Sequence, residues 1–173
     1  MQSTPWPLSW SAIWAGAITA LAAAIVFGLI GAALGAAAPT PFSWHQVAVV
    51  DLIVVVLASF WGFAIGGWVC GKVAGFSHSE PSILHAALSW AIGMVLVVAL
   101  AGAGAGSALG GWYGGLAARA GALTPSSPET IRNGALAALT SLLIGLIGAV
   151  IGGWLATGEP MTFTHHLKRR TFP

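Results

Sequence analysis

At 173 residues the chain has the size of one domain, yet 57% of its residues are hydrophobic and only 6% are charged, against about 25% charged in soluble domains. A surface of this size in water needs far more polar cover, so composition excludes a soluble globular domain and leaves an integral membrane protein. The net charge of +2 comes mainly from Lys168-Arg169-Arg170. This is a topology signal rather than a nucleic-acid footprint, because aromatic interleaving for base stacking is missing there. Cys70 is the single cysteine, which rules out an internal disulfide, a CxxC motif and any cysteine-based zinc or iron–sulfur site.

Residues 1–9 form a short polar lead-in broken by Pro5 and Pro7, and Trp6, Trp10 and Trp14 follow at helical spacing, as interfacial anchors do. The first apolar run predicts a transmembrane helix over about 10–35, long enough at about 1.5 Å per residue to cross about 30 Å of hydrocarbon. It is read as a retained helix rather than a signal peptide. The run is too long for an h-region, no basic n-region precedes it, and Pro39 follows the small-residue stretch Ala36-Ala37-Ala38. Phe42-Ser43-Trp44-His45 reads as an interfacial return. A second helix is expected over about 47–73, and Phe76 to Pro81 as the next loop. The third is expected over about 82–106, followed by a glycine-rich interfacial segment at 107–121, because the uncharged run from Ala86 to Ala118 exceeds one crossing. The fourth helix is expected over about 131–156, stopped by Gly158-Glu159-Pro160, with a basic tail after it. The expected fold is thus an all-α bundle of four transmembrane helices.

Four crossings put both termini and the loop after the second helix on one side. That side carries Lys72, Lys168, Arg169 and Arg170 against Arg119 and Arg132 on the other, which favours cytoplasmic termini. The tail basics are expected to face anionic lipid headgroups, at about 1 kcal/mol per residue.

Small residues recur four apart as Gly31/Gly35, Gly62/Gly66, Gly67/Gly71/Gly75 and Gly148/Gly152. In water so many glycines would undermine a helix at about 0.8–1 kcal/mol each. In lipid the backbone has no alternative partner, and small residues let helices approach closely. Glycine-mediated packing is therefore expected. Gly62 to Trp68 also resembles Gly148 to Trp154, and Gly28 to Gly35 resembles Ala103 to Gly110. This parallel suggests two copies of one hairpin about a pseudo-twofold axis, although glycine- and alanine-rich helices also resemble one another by composition alone.

Trp10-Ser11-Ala12-Ile13-Trp14-Ala15-Gly16, Gly66-Gly67-Trp68-Val69-Cys70-Gly71-Lys72-Val73-Ala74-Gly75 and Leu84-His85-Ala86-Ala87-Leu88-Ser89-Trp90 together resemble a family of small four-helix bacterial membrane proteins, often labelled "PhnA-like". The second stretch in that family usually reads GGY-x-AGR-x-AG, and the third LHG with a tryptophan shortly after. This chain departs from those patterns, with Trp68 for Tyr, Cys70 for Ala, Lys72 for Arg and Ala86 for Gly. The resemblance implies the four-helix fold and an inner-membrane location. It brings no established activity and no catalytic residues.

Four residues are candidates for a polar site. Asp51 falls on one helical face with Val55, Ala58, Gly62 and Gly66, and a carboxylate within a span is a functional candidate, with Arg132 or His45 as partner. Its structural alternative is a cap at headgroup level near the start of the second helix. His85 and Ser89 lie at i, i+4 on the third helix and can hydrogen-bond each other or a neighbouring helix. A b-type haem would need histidines facing one another across helices, and of His45, His78, His85, His165 and His166 only His85 lies on a predicted span. No cofactor and no metal site is expected, and no nucleophile–base set points to an enzyme. Two functions remain. One is a structural or accessory membrane protein that uses its glycine faces to assemble with itself or a larger membrane complex. The other is a small channel or transporter with Asp51 on the solute or proton path.

Overall fold

The computed structural model describes residues 8–37, 44–100 and 128–159. Four helices make up the regular structure there: α1 (Trp10–Ala37), α2 (Trp44–Ala74), α3 (Ser79–Leu100) and α4 (Pro128–Thr157). Among the described residues there is no strand. Each helix holds a stretch long and apolar enough to cross a membrane: Trp10–Gly31, Val56–Ala74, Ser79–Leu100 and Ala138–Thr157. The described residues are therefore all-helical apart from their turns, with four candidate membrane spans. The expected 107–121 segment and the basic tail lie outside the described residues.

Side chains are distributed inside out relative to a soluble bundle. The buried positions are mostly small: Ala12, Ala17, Ala20, Ala24, Ala58, Ala64, Ala86, Ala149 and Ala156, with Cys70. Large apolar residues point outward, as Ile18, Leu29, Val95, Val98, Leu143 and Ile147 do, each more than half exposed. In water such a surface would be one continuous apolar patch. A hydrocarbon solvent removes that penalty and leaves close packing as the main source of cohesion.

The α2 helix packs against all three others, and α3 packs against α1 and α4 as well. α1 and α4 thus flank the α2–α3 pair on opposite sides. The approach is closest where two backbones meet. A Cβ added at Gly67 would overlap the carbonyl oxygen of Ala149, one at Gly148 that of Phe60, and one at Gly152 that of Ala64. On the other side of α2, a Cβ at Gly66 would lie 2.7 Å from both the Ala20 Cβ and the Gly16 carbonyl oxygen. Consecutive glycines of α2 therefore serve opposite neighbours, Gly66 facing α1 and Gly67 facing α4. The one large aromatic in the centre, Phe63, lies against Gly93 of α3 and Gly145 of α4, whose added Cβ atoms would come within 3.1 and 2.9 Å of its ring.

Glycines that correspond in sequence do not make corresponding contacts. Gly66 meets α1 whereas Gly152 meets α2, and Gly67 meets α4 whereas Gly153 meets Ser82 and Ala86 of α3. A twofold exchanging α1 with α3 and α2 with α4 would require Gly152 to meet α3. The contacts do not follow that axis.

Several boundaries differ from expectation for identifiable reasons. α2 begins at Trp44, so Trp44 and His45 belong to the helix and not to an interfacial return; no helix breaker separates them from Val47. α4 begins with Pro128, a residue whose fixed φ and missing N–H suit the first helical position. α3 begins at Ser79, ahead of the expected Ser82, because its first turn tolerates Pro81 and its leading amide is capped from α4. Gly75, expected among the packing glycines, has φ +66° and nothing within 4 Å of an added Cβ. It is the residue just past the end of α2, with its N–H donating to the Gly71 carbonyl at 3.1 Å. Its left-handed conformation is what ends the helix. Gly158, at φ +68°, occupies the same position after α4.

Candidate functional site

Among the described residues, polar contacts between elements concentrate at the end of the bundle where α1 starts, α2 ends, α3 starts and α4 ends. His85 lies in the second turn of α3 and is 3% exposed. Its Nδ1 lies 2.8 Å from the Pro81 carbonyl oxygen, and its Nε2 lies 3.1 Å from the backbone nitrogen of Ser9. A carbonyl can only accept and an amide N–H can only donate. One state satisfies both contacts: a neutral ring with its proton on Nδ1. Ser9 immediately precedes α1, and its carbonyl accepts the Ile13 N–H at 3.1 Å, so it is the N-cap residue. In a capping box the N-cap amide is satisfied by a Glu or Gln side chain of the same helix. Here an imidazole from α3 does this, across 76 positions of sequence. The Phe76 ring covers the imidazole, with centroids 4.6 Å apart and planes tilted by 58°.

A second tie joins α3 to α4. The Glu159 carboxylate, one residue beyond Gly158, accepts the Ser79 N–H at 2.9 Å and lies 3.1 Å from His78 Nδ1. An anion at a helix N-terminus is favoured by the unpaired amides and the dipole. The backbone N–H of Ser79, its side chain and then His78 lower the Glu159 pKa from 4.5 to about 2. Deeper in, Ser82 is wholly buried and donates to the Gly153 carbonyl at 2.7 Å, and Ser59 of α2 donates to the Ser141 carbonyl of α4 at 2.8 Å. Both hydroxyls add an interhelical bond where small neighbours leave space for it. The half-buried Trp90 carries the one buried side-chain nitrogen or oxygen among the described residues without a partner, its Nε1.

The expected polar residues do not come together as a set. His85 and Ser89 are both buried on α3, but His85 bonds Pro81 and Ser9, and the Ser89 hydroxyl sits at the α1 interface, 2.5 Å from where a Gly16 Cβ would be. Arg132 is exposed, on the first turns of α4. Asp51 belongs to α2, with its side chain outside the described residues. It lies twenty-three positions before Ala74, which places it about 35 Å along the axis at about 1.5 Å per residue, near or past the far edge of about 30 Å of hydrocarbon. Gly62 and Gly66 turn to α1, Gly67 to α4 and Gly71 to Ser82 and Ala156, while Gly148 and Gly152 turn to α2. Gly31 is half-buried in α1, and the surroundings of Gly35 lie outside the described residues, as do Lys168, Arg169 and Arg170.

Sequence reasoning missed Ser9, Phe76 and Glu159. The only local signal was the serine before the first apolar run, a usual N-cap residue; nothing local pairs it with His85. Lys72 is exposed, with Nζ 5.9 Å from the centroid of the Trp68 ring, a cation–π pair one turn apart at the end of α2. Among the described residues no three of His, Cys, Asp and Glu form a group able to hold a metal ion. The two nitrogens of His85 are both occupied by protein partners, which leaves neither as a ligand. Comparison with protein-family models, curated proteins and solved structures returns no match for this chain.

Proposed function

We propose that the chain is a non-enzymatic multi-pass protein of the bacterial inner membrane, with cytoplasmic termini, that serves as a structural or accessory component beside a larger membrane complex or further copies of itself. The observation that carries this reading is that three of the buried polar side chains, Ser59, Ser82 and His85, bond groups on other elements of the same bundle. A solute path needs several polar groups converging on open space, and these are spent on cohesion instead. The close backbone approaches at Gly66, Gly67, Gly148 and Gly152 support glycine-mediated packing, and they direct it inward. The glycine stripes of α2 and α4 are used within the chain, so a partner would meet the large outward side chains of the helices. The axial position of Asp51 favours a headgroup-level role and gives the channel reading little support.

The test is purification of a tagged copy in native nanodiscs, with mass measurement and identification of co-eluting proteins. A stoichiometric complex is the expected result. A monodisperse particle with no partner, together with solute flux that collapses in Asp51→Asn while assembly persists, would replace this reading by a channel or transporter.

A further inference from the structure

We propose that His85 is a proton-operated pin: its neutral ring holds the start of α1 against α3, and protonation from the side of the membrane bearing the α2–α3 turn releases it. The Nε2 lone pair is the acceptor for the Ser9 N–H, at 3.1 Å. Adding a proton there turns the acceptor into a donor that faces another donor. The ring cannot escape by changing tautomer, because Nδ1 is already committed to the Pro81 carbonyl and both nitrogens of an imidazolium donate. Rotation is opposed by Phe76, packed against the ring at a tilt of 58°, and by burial to 3% exposure. The N-cap amide of α1 must then leave.

Among the described residues no charge in contact with the ring offsets this. From α1 the ring meets Ser9, and from the turn after α2 it meets Phe76. The other titratable groups described at this end are engaged or exposed elsewhere. Cys70 of α2 packs with Ala12 and Ile13, Lys72 lies over Trp68, and Glu80 of α3 is exposed. Glu159, which α4 brings to this end, is held by Ser79 and His78.

The second histidine at this end has a different partner. His78 Nδ1 lies 3.1 Å from the Glu159 carboxylate, so the α3–α4 contact sets a ring against an anion and contains no donor–donor clash of the kind that breaks the Ser9–His85 bond. The change is therefore confined to the N-cap end of α1, and the packing of Gly16 against Ser89, Cys70 and Gly66 is left in place.

The experiment is amide hydrogen exchange on the full chain in nanodiscs, from about pH 8 to about pH 5, the range in which imidazoles change charge, corrected for intrinsic exchange. Protection of the Ser9 and Ile13 amides should fall about tenfold per pH unit once the ring titrates, the slope of one linked proton. In His85→Gln the profile should become flat, and in His78→Gln it should keep the wild-type shape. A flat wild-type profile, or a slope that survives in His85→Gln, overturns the proposal. Should His85→Gln not fold, ¹⁵N-histidine spectra of the wild-type protein decide. The Nδ1–H tautomer must give way to imidazolium with the same midpoint as the shift of the Ser9 amide. A ring that stays neutral, or a Ser9 amide that ignores its titration, overturns the pin.

Discussion

Replacing Gly152 by alanine should destabilise the bundle severely for so small a change. The added Cβ would overlap the Ala64 carbonyl oxygen and lie 2.9 Å from both the Ala64 carbonyl carbon and the Trp68 backbone nitrogen. These are backbone atoms, so no side chain can swing aside and α2 and α4 must part by on the order of 1 Å. A gap of that size forfeits about a quarter to a half of each contact's attraction, and it spreads to the neighbouring approaches of Gly67 to Ala149 and Gly148 to Phe60. The expected cost is about 2–3 kcal/mol, the upper part of the range for an overpacked interior. The usual gain of about 0.8–1 kcal/mol from replacing a helical glycine by alanine does not offset it, because separated helices remain helical in a membrane-like solvent. Gly62→Ala is the matched control. Its Cβ would meet the Ala20 carbonyl oxygen at 3.5 Å, an ordinary contact, so the change should stay within about 0.5 kcal/mol. Unfolding in mixed micelles, followed by tryptophan fluorescence, measures both. Equal stability of the two variants would refute the backbone-overlap argument.

Gly75→Ala probes the helix stop rather than packing: at φ +66° with open space around it, it should cost about 1 kcal/mol from the left-handed conformation alone in the same unfolding assay. The Glu159 carboxyl has a lower pKa in the folded protein than its ordinary 4.5. Its contribution is therefore complete above pH 4.5 and is lost as pH falls towards about 2; a pH series of unfolding midpoints should show that loss in the wild-type and none from this group in Glu159→Gln. Cys70 is fully buried and should resist a water-soluble maleimide in the folded protein, reacting within minutes after denaturation, as mass spectrometry would report.

The four spans were legible in the sequence because each is an apolar run of sufficient length bounded by proline, glycine or charge. What lay hidden depends on contacts between distant residues. α3 starts a turn early because Glu159, 80 positions away, supplies the cap for Ser79, and no local pattern announces that. The i, i+4 spacing of His85 and Ser89 allowed a bond to each other or to a neighbouring helix, and the ring looks back one turn to Pro81 and across to Ser9. Periodicity put Gly66 and Gly67 on adjacent stripes but gave no means of assigning one to α1 and the other to α4. Gly75 continued a four-residue spacing as though it were packing, whereas its φ marks it as a terminator. Spacing along one helix is a one-dimensional signal, and these features are settled by which neighbour lies opposite.

The central place of α2 bears on how the chain is made. Its Gly66 side can be covered as soon as α1 and α2 are both in the bilayer, since these are consecutive. Its Gly67 side is covered by Ala149 of α4, which leaves the ribosome more than seventy residues later. During synthesis an early hairpin must therefore wait with one groove open to lipid, and a fragment truncated before α4 would present that groove to quality-control proteases.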